Sequence, residues 1–143
     1  MATYYDASFL LAGLLPAPDA SRLVPWWTEE TVRLGSVLLE AECVTVIRRT
    51  ATAQQPADSA SFLSSRMDWL NQQMALLSCN DVNNEVLQRL RSEPRLSNCR
   101  TLDALHLATA LLFQDQVDEP LTICTLDNRM RTTAQSLGFT VAP

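Results

Sequence analysis

The segment Arg100-Thr101-Leu102-Asp103-Ala104-Leu105-His106-Leu107-Ala108-Thr109-Ala110-Leu111-Leu112 restricts the fold more than any other part of the chain. Leu102, Leu105, Ala108 and Leu112 recur at steps of three and four, and Ala104, Leu107 and Leu111 fill the neighbouring stripe. That is the period of an α-helix, and a helix apolar nearly all round must sit deep in a core. Its first turn nevertheless carries Asp103, with Thr101 as a candidate N-cap; the positive end of the helix dipole favours a carboxylate there. An acid on the opening turn of a buried helix needs a metal, a cation or a cluster of donors. The alternative is a plain capping acid, since Asp is common in first turns.

Two further acids end β-type runs. Thr3-Tyr4-Tyr5 stops on Asp6, and Leu121 to Leu126 stops on Asp127, ahead of a helix that runs to Leu137 and the terminator Gly138. Two strands ending in Asp, with an acid at a helix start, supply a carboxylate-lined cleft at the carboxyl edge of a parallel sheet. Asp6 could also serve only as an N-cap, and Ser8 could cap the same helix or reach the same space.

The rest of the chain alternates between strand and helix. Ala7 to Leu15 reads as a helix stopped by Pro16, and Asp19 to Thr31 as a helix interrupted by Pro25. Val32 to Ser36 reads as a strand whose Ser36 caps a helix through Thr50, with Val37, Leu38, Ala41, Val44 and Ile47 or its neighbours facing inward. Glu40 and Glu42 on that helix are about 200° apart, so they cannot share one site. Ser59 to Ala75 is a helix with a Leu63, Met67, Leu70, Met74 stripe, leaving Phe62 and Trp69 off it. Leu76 to Asn80 reads as a strand, Asp81 as the cap of a helix Val82 to Arg91, Glu93 to Cys99 as a polar loop, and Phe139 to Val141 as an edge strand. His106, one turn after Asp103, could orient a carboxylate, although a packed, hydrogen-bonded helix histidine is the plainer reading. With 143 residues in all, the pattern predicts a single α/β domain over residues 1–143, an α/β/α sandwich on a parallel sheet of about five strands.

Tyr4-Tyr5-Asp6-Ala7-Ser8, the helix motif around Asp103, and Thr125-Leu126-Asp127-Asn128-Arg129-Met130 with its later Leu137-Gly138-Phe139 resemble the PIN-domain nucleases, above all the small VapC-type toxins. The resemblance spans residue 3 to about residue 141 and implies a metal-dependent endoribonuclease. It favours Glu42 over Glu40, because the site glutamate of similar toxins follows a small residue and lies between a strand-end Ser and an Arg pair, here Ala41, Ser36 and Arg48-Arg49. It therefore implies Asp6, Glu42, Asp103 and Asp127 as the catalytic and metal-holding set, with Ser8, Thr125 and Arg129 beside it for substrate or support. The implied cofactor is Mg²⁺ or Mn²⁺, hard ions that take oxygen ligands, and the implied products are a 5′-phosphate and a 3′-hydroxyl.

Composition removes other classes. Cys43, Cys79, Cys99 and Cys124 are scattered and the chain has one histidine, which argues against a zinc site. Gly13, Gly35 and Gly138 are the only glycines, too few for a phosphate-binding glycine loop. A receiver-type phosphoacceptor domain would need a lysine, and all 11 basic residues are arginine. The net charge of −5 argues against non-specific nucleic-acid binding, although the four candidate acids account for most of it. Without a basic leader or a long apolar run, a cytoplasmic protein with no membrane contact is the default.

The resemblance also implies partners: an RNA substrate, a homodimer, and a small antitoxin that inserts a C-terminal segment. Trp26, Trp27 and Trp69, with Met67 and Met74, are candidate surfaces for such a segment. The rivals are a PIN-like RNA-processing enzyme without an antitoxin and a non-catalytic PIN-like binding module.

Overall fold

Successive side chains of a strand point to opposite faces of its sheet. Tyr4 and Tyr5 are both fully buried, so the first strand must be covered on both sides. The computed structural model, which describes residues 1–15, 18–29 and 31–143, has that covering. Strand β1 (Ala2–Tyr5) is the centre of an all-parallel sheet with β2 (Val32–Ser36), β3 (Ser78–Asn80), β4 (Thr122–Cys124) and β5 (Thr140–Ala142), in the order β3-β2-β1-β4-β5. The helices are α1 (Ala7–Leu14), α2 (Val37–Thr52), α3 (Pro56–Met74), α4 (Asn84–Ser92), α5 (Thr101–Gln114) and α6 (Asn128–Ser136). Tyr5 packs with Leu10, Leu14, Leu39, Ile47 and Leu70 from α1, α2 and α3. Tyr4 packs with Val86, Leu107, Ala108, Phe113 and Met130 from α4, α5 and α6. The result is the expected three-layer α/β sandwich, and none of its described helices is long and apolar enough to cross a membrane.

The topology places the cleft. The chain steps outward from β1 to β2 and β3, then returns to the other side of β1 as β4 and β5. The order reverses between β1 and β4, where an open α/β sheet has its crevice, beyond the strands' carboxyl ends. Tyr5 pairs with Cys124 in that gap, so Asp6 and Thr125 leave the sheet side by side.

Helix α5 is the buried element its sequence predicts, with Ala104, Leu107, Ala108, Ala110 and Phe113 all in the core. Fully burying one side chain such as Leu107 contributes about 1.5–3 kcal/mol. At the far end, α6 closes on Gly138, whose φ of 93° is the left-handed geometry that glycine adopts without strain.

Several expectations need correction. Arg100, not Thr101, holds the cap position of α5, and it makes no side-chain cap bond. Leu102 is 45% exposed because it lines the cleft mouth. The inward face of α2 is Leu39, Cys43, Ile47 and Ala51, while Val37 and Ala41 are exposed. Apolar residues on that helix serve two surfaces, since Leu38 and Val46 line the cleft, and this blurs the period. Among the described residues of the stretch expected to be a helix, 19–29 and 31, there is only a short 3₁₀ turn (Ala20–Arg22) followed by turns. Trp69 is buried, and Trp26, Trp27, Phe62 and Met67 pack partly buried against the same cluster. Asn83 rather than Asp81 caps α4, and Pro94–Asn98 is a 3₁₀ turn rather than a loop. The helix stop expected at Pro16 lies outside the described residues.

Candidate active site

Asp6 follows β1 directly, and its backbone N–H still donates to the Cys124 carbonyl at 3.1 Å. It sits at the cap position of α1, but its carboxylate makes no cap bond. Instead Oδ2 accepts from Ser8 Oγ at 2.5 Å and from Thr125 Oγ1 at 2.8 Å. Those hydroxyls are themselves held, because Leu126 N–H donates to Ser8 Oγ at 2.9 Å and Asp127 N–H to Thr125 Oγ1 at 3.1 Å. Ser8 and Thr125 thus fasten the ends of β1 and β4 together around one carboxylate oxygen. Among the described residues, no hydrogen bond falls on the other oxygen, Oδ1.

Glu42 comes from the second turn of α2, whose start is fixed by Leu38 N–H donating to Ser36 Oγ at 3.2 Å. Its Oε2 lies 2.6 Å from His106 Nε2. Glu40 is exposed on the other side of the helix. Asp127 caps α6 through Met130 N–H, which donates to Oδ1 at 2.8 Å. Its Oδ2 is 3.4 Å from Arg100 Nη2.

Asp103 is buried in the first turn of α5, only 8% exposed, and its Oδ2 has no hydrogen-bond partner. The nearest cation is Arg100 Nε at 3.5 Å, an ion-pair distance at a largely exposed guanidinium. Burial raises the Asp103 pKa above the ordinary aspartate value, and the charges of Asp127 and Asp6 add to the rise.

Asp6, Glu42, Asp103 and Asp127 therefore come from four separate elements to one cleft of about 420 Å³. Arg49, Arg100, Leu38, Val46 and Leu102 share its wall. Ser8 lines the cleft, whereas Thr125 is fully buried behind Asp6. Arg129 stands apart, in a neighbouring depression with Arg100 and Asp127. Sequence reasoning missed Arg100 and Arg49 as cleft residues. Arg49 figured in the Arg pair by which the resemblance picks Glu42, and nothing in the spacing around Arg100 pointed inward. His106 is both things the sequence allowed, a packed core histidine and a carboxylate partner; the signal was its position one turn after Asp103.

The donor set suits a hard divalent cation. It is made of carboxylate oxygens, one of them buried without a hydrogen-bond partner, and no thiol lines the cleft. Asp6, Glu42 and His106 bring ligand-type atoms within 4.8 Å of one another.

The chain is similar in structure to VapBC2 from Rickettsia felis, solved bound to a DNA fragment from its promoter, with a TM-score of 0.64 and 12% identity over 99% of this chain and 98% of that one. It is similar also to FitAcB from Neisseria gonorrhoeae, with a TM-score of 0.65 and 17% identity over 99% of this chain and 96% of that one. No curated protein matches it in sequence. The PIN domain family model matches residues 3–135. That match takes in all four carboxylates and every strand but the last, and the chain belongs to the PIN-domain family.

Proposed function

We propose that this protein is a metal-dependent endoribonuclease and the toxin half of a toxin–antitoxin pair. One observation carries the nuclease reading: four acids from distant chain positions converge on one cleft at the point where the strand order reverses. Like charges brought together without a cation disfavour the fold, so the arrangement calls for a ligand. Asp6, Glu42 and Asp103 would hold Mg²⁺ or Mn²⁺, with Asp127 contributing at the rim. When bound, such an ion supplies Lewis-acid stabilisation of the phosphoryl oxygens and lowers the pKa of an attacking water.

The protein's own groups do the rest. The hydroxyls of Ser8 and Thr125 fix Asp6 Oδ2 and leave Oδ1 without a hydrogen bond among the described residues. The Met130 N–H holds Asp127 Oδ1, and Arg100 Nη2 donates to its Oδ2 from the cleft wall. Arg49 and Arg100, on the cleft wall, offer guanidinium forks to the phosphates of a bound strand. Water adds to phosphorus, the bond from phosphorus to the 3′ oxygen breaks, and that oxygen leaves with a proton. The products are a 5′-phosphate and a 3′-hydroxyl. The toxin reading is supported by the resemblance of the three motifs to VapC-type chains and by the likeness in fold to VapBC2 and FitAcB. A cytoplasmic homodimer with a small antitoxin follows from that reading.

The test is incubation of the purified protein with total cellular RNA, with and without Mg²⁺. Metal-dependent fragments with 5′-phosphate ends support the nuclease reading, and intact RNA under all divalent ions tried overturns it. Growth arrest on expression, relieved by the product of an adjacent reading frame, tests the toxin half separately.

A further inference from the structure

We infer that His106 is a positioning residue: its ring, held at both nitrogens by Tyr4 and Glu42, fixes the Glu42 carboxylate so that the opposite oxygen faces the cation site. This rests on the metal-nuclease reading and deepens it. Nδ1 lies 2.9 Å from the Tyr4 hydroxyl, and Nε2 lies 2.6 Å from Glu42 Oε2. A carboxylate only accepts, so Nε2–H is the donor, and in the neutral ring Nδ1 is left to accept from the tyrosine. Tyr4 and His106 are both fully buried and meet edge to face, with centroids 6.0 Å apart and planes at 75°. The chain from Tyr4 through His106 to Glu42 is therefore locked from the core outward. Glutamate has three rotatable side-chain bonds, and a donor fixed in the core removes freedom that would otherwise be lost on cation binding. Among the described residues, no hydrogen bond falls on Glu42 Oε1, the oxygen left over.

The competing assignment makes His106 a ligand, since its Nε2 belongs to the group of atoms within 4.8 Å of one another. The geometry is against it. The Nε2–H is directed at Glu42, Asp6 Oδ1 is 4.0 Å away, and the imidazole stands behind the two carboxylates rather than among the residues lining the cleft. Helix α5 thus sets two acids at once, carrying Asp103 itself and placing Glu42 through a side chain one turn later.

His106 is the only histidine in the chain, so ¹⁵N spectra of histidine-labelled protein report this ring alone. The expected result is one tautomer with the proton on Nε2, retained when Mg²⁺ is added to saturation. Tyr4→Phe should keep that tautomer, because the Glu42 carboxylate alone demands the Nε2 proton, and shift the Nδ1 resonance as its hydrogen bond is lost. In parallel, Mn²⁺ affinity is measured by electron paramagnetic resonance, without RNA. His106→Leu should bind Mn²⁺ about tenfold more weakly or worse, as loss of a partner to a metal ligand does. His106→Gln, whose amide N–H reaches toward the same oxygen, should recover much of the affinity. Loss of the Nε2 proton on adding Mg²⁺ would make His106 a ligand and overturn the inference. So would parent-like Mn²⁺ affinity in a folded His106→Leu, with the nuclease reading left intact. If the parent itself binds no divalent ion, the metal-nuclease reading falls and this inference falls with it. The tautomer measurement needs no variant, so a misfolded His106→Leu does not block the test.

Discussion

Asp103 is the acid whose surroundings least favour its charge, and its effects should be visible without any RNA. Its raised pKa means that, between the ordinary aspartate range and the raised value, the native state keeps a proton that the unfolded chain has released. Metal-free stability must therefore fall as pH rises through that window. Asp103→Asn should remove this slope and raise the metal-free melting temperature by about 2–4 °C for each kcal/mol of relieved repulsion, while reducing RNA cleavage to background. Thermal melts across pH in a chelating buffer check the first part and gel assays the second; cleavage at the parental rate would remove Asp103 from the site. Arg100 acts in the opposite sense, lying 3.5 Å from Asp103 and 3.4 Å from Asp127. Arg100→Ala should lower metal-free stability by about 0.2–1 kcal/mol, the scale of an exposed ion pair, and tighten Mg²⁺ binding by removing a competing cation. Titration calorimetry checks the second effect, which should shrink as salt rises. None of this detail about Arg100 was legible in the sequence, because an exposed arginine before a helix has many available roles. Asp103 was legible because a charge opening an otherwise apolar helix has few.

Among the elements, α2 separates what pattern can and cannot deliver. Its start at Ser36 and the exclusion of either Glu40 or Glu42 followed from capping chemistry and helical rotation. Its buried face did not, because the helix packs on the core with Leu39, Cys43 and Ile47 while Leu38 and Val46 serve the cleft. Glu42→Gln and Glu40→Gln test the phase directly. At Mg²⁺ a hundredfold above Kd the parent gains about 2.7 kcal/mol; Glu42→Gln should lose most of that gain and Glu40→Gln should keep it. Thermal shift with and without Mg²⁺ reads both, and the reverse ranking would sink the assignment. The segment after α1 was misread as helix for a different reason. Trp26 and Trp27 are held by tertiary contacts: Tyr5 donates to the Trp26 carbonyl, and the Trp27 ring touches both the Tyr5 ring and the Arg33 guanidinium. Such contacts join residues by proximity in the fold and leave no period in the sequence.

Across the whole molecule, alternating strands and helices, with acids at two strand ends, were enough to expect a parallel sheet with Asp6 and Asp127 on its carboxyl edge, whereas the strand order is known only from the structure. Partner surfaces were less legible, since Trp69, a candidate from the sequence, is in the core. Exposed apolar surface beside the acids includes Leu102 at 45% and Leu126 at 46% exposure. On the toxin reading, an antitoxin segment covering it and placing a basic side chain among the carboxylates competes with Mg²⁺. Inhibition should weaken as Mg²⁺ rises, and binding should show a negative heat-capacity change. Calorimetry at two temperatures and several Mg²⁺ concentrations checks both, and inhibition indifferent to Mg²⁺ would exclude insertion into the cleft.

The bond from Thr125 to Asp6 joins residues 119 positions apart, and the strands that frame it pair just as remotely. Contacts of that span form late, because the intervening chain must be ordered before they close. Translation adds a direction: a ribosome-bound chain that has not yet emerged past β4 holds Asp6 and Glu42 without the hydroxyl that fixes one and with no Asp127 to complete the set. On the endoribonuclease reading, competence would arrive only after the stretch through α6 has emerged.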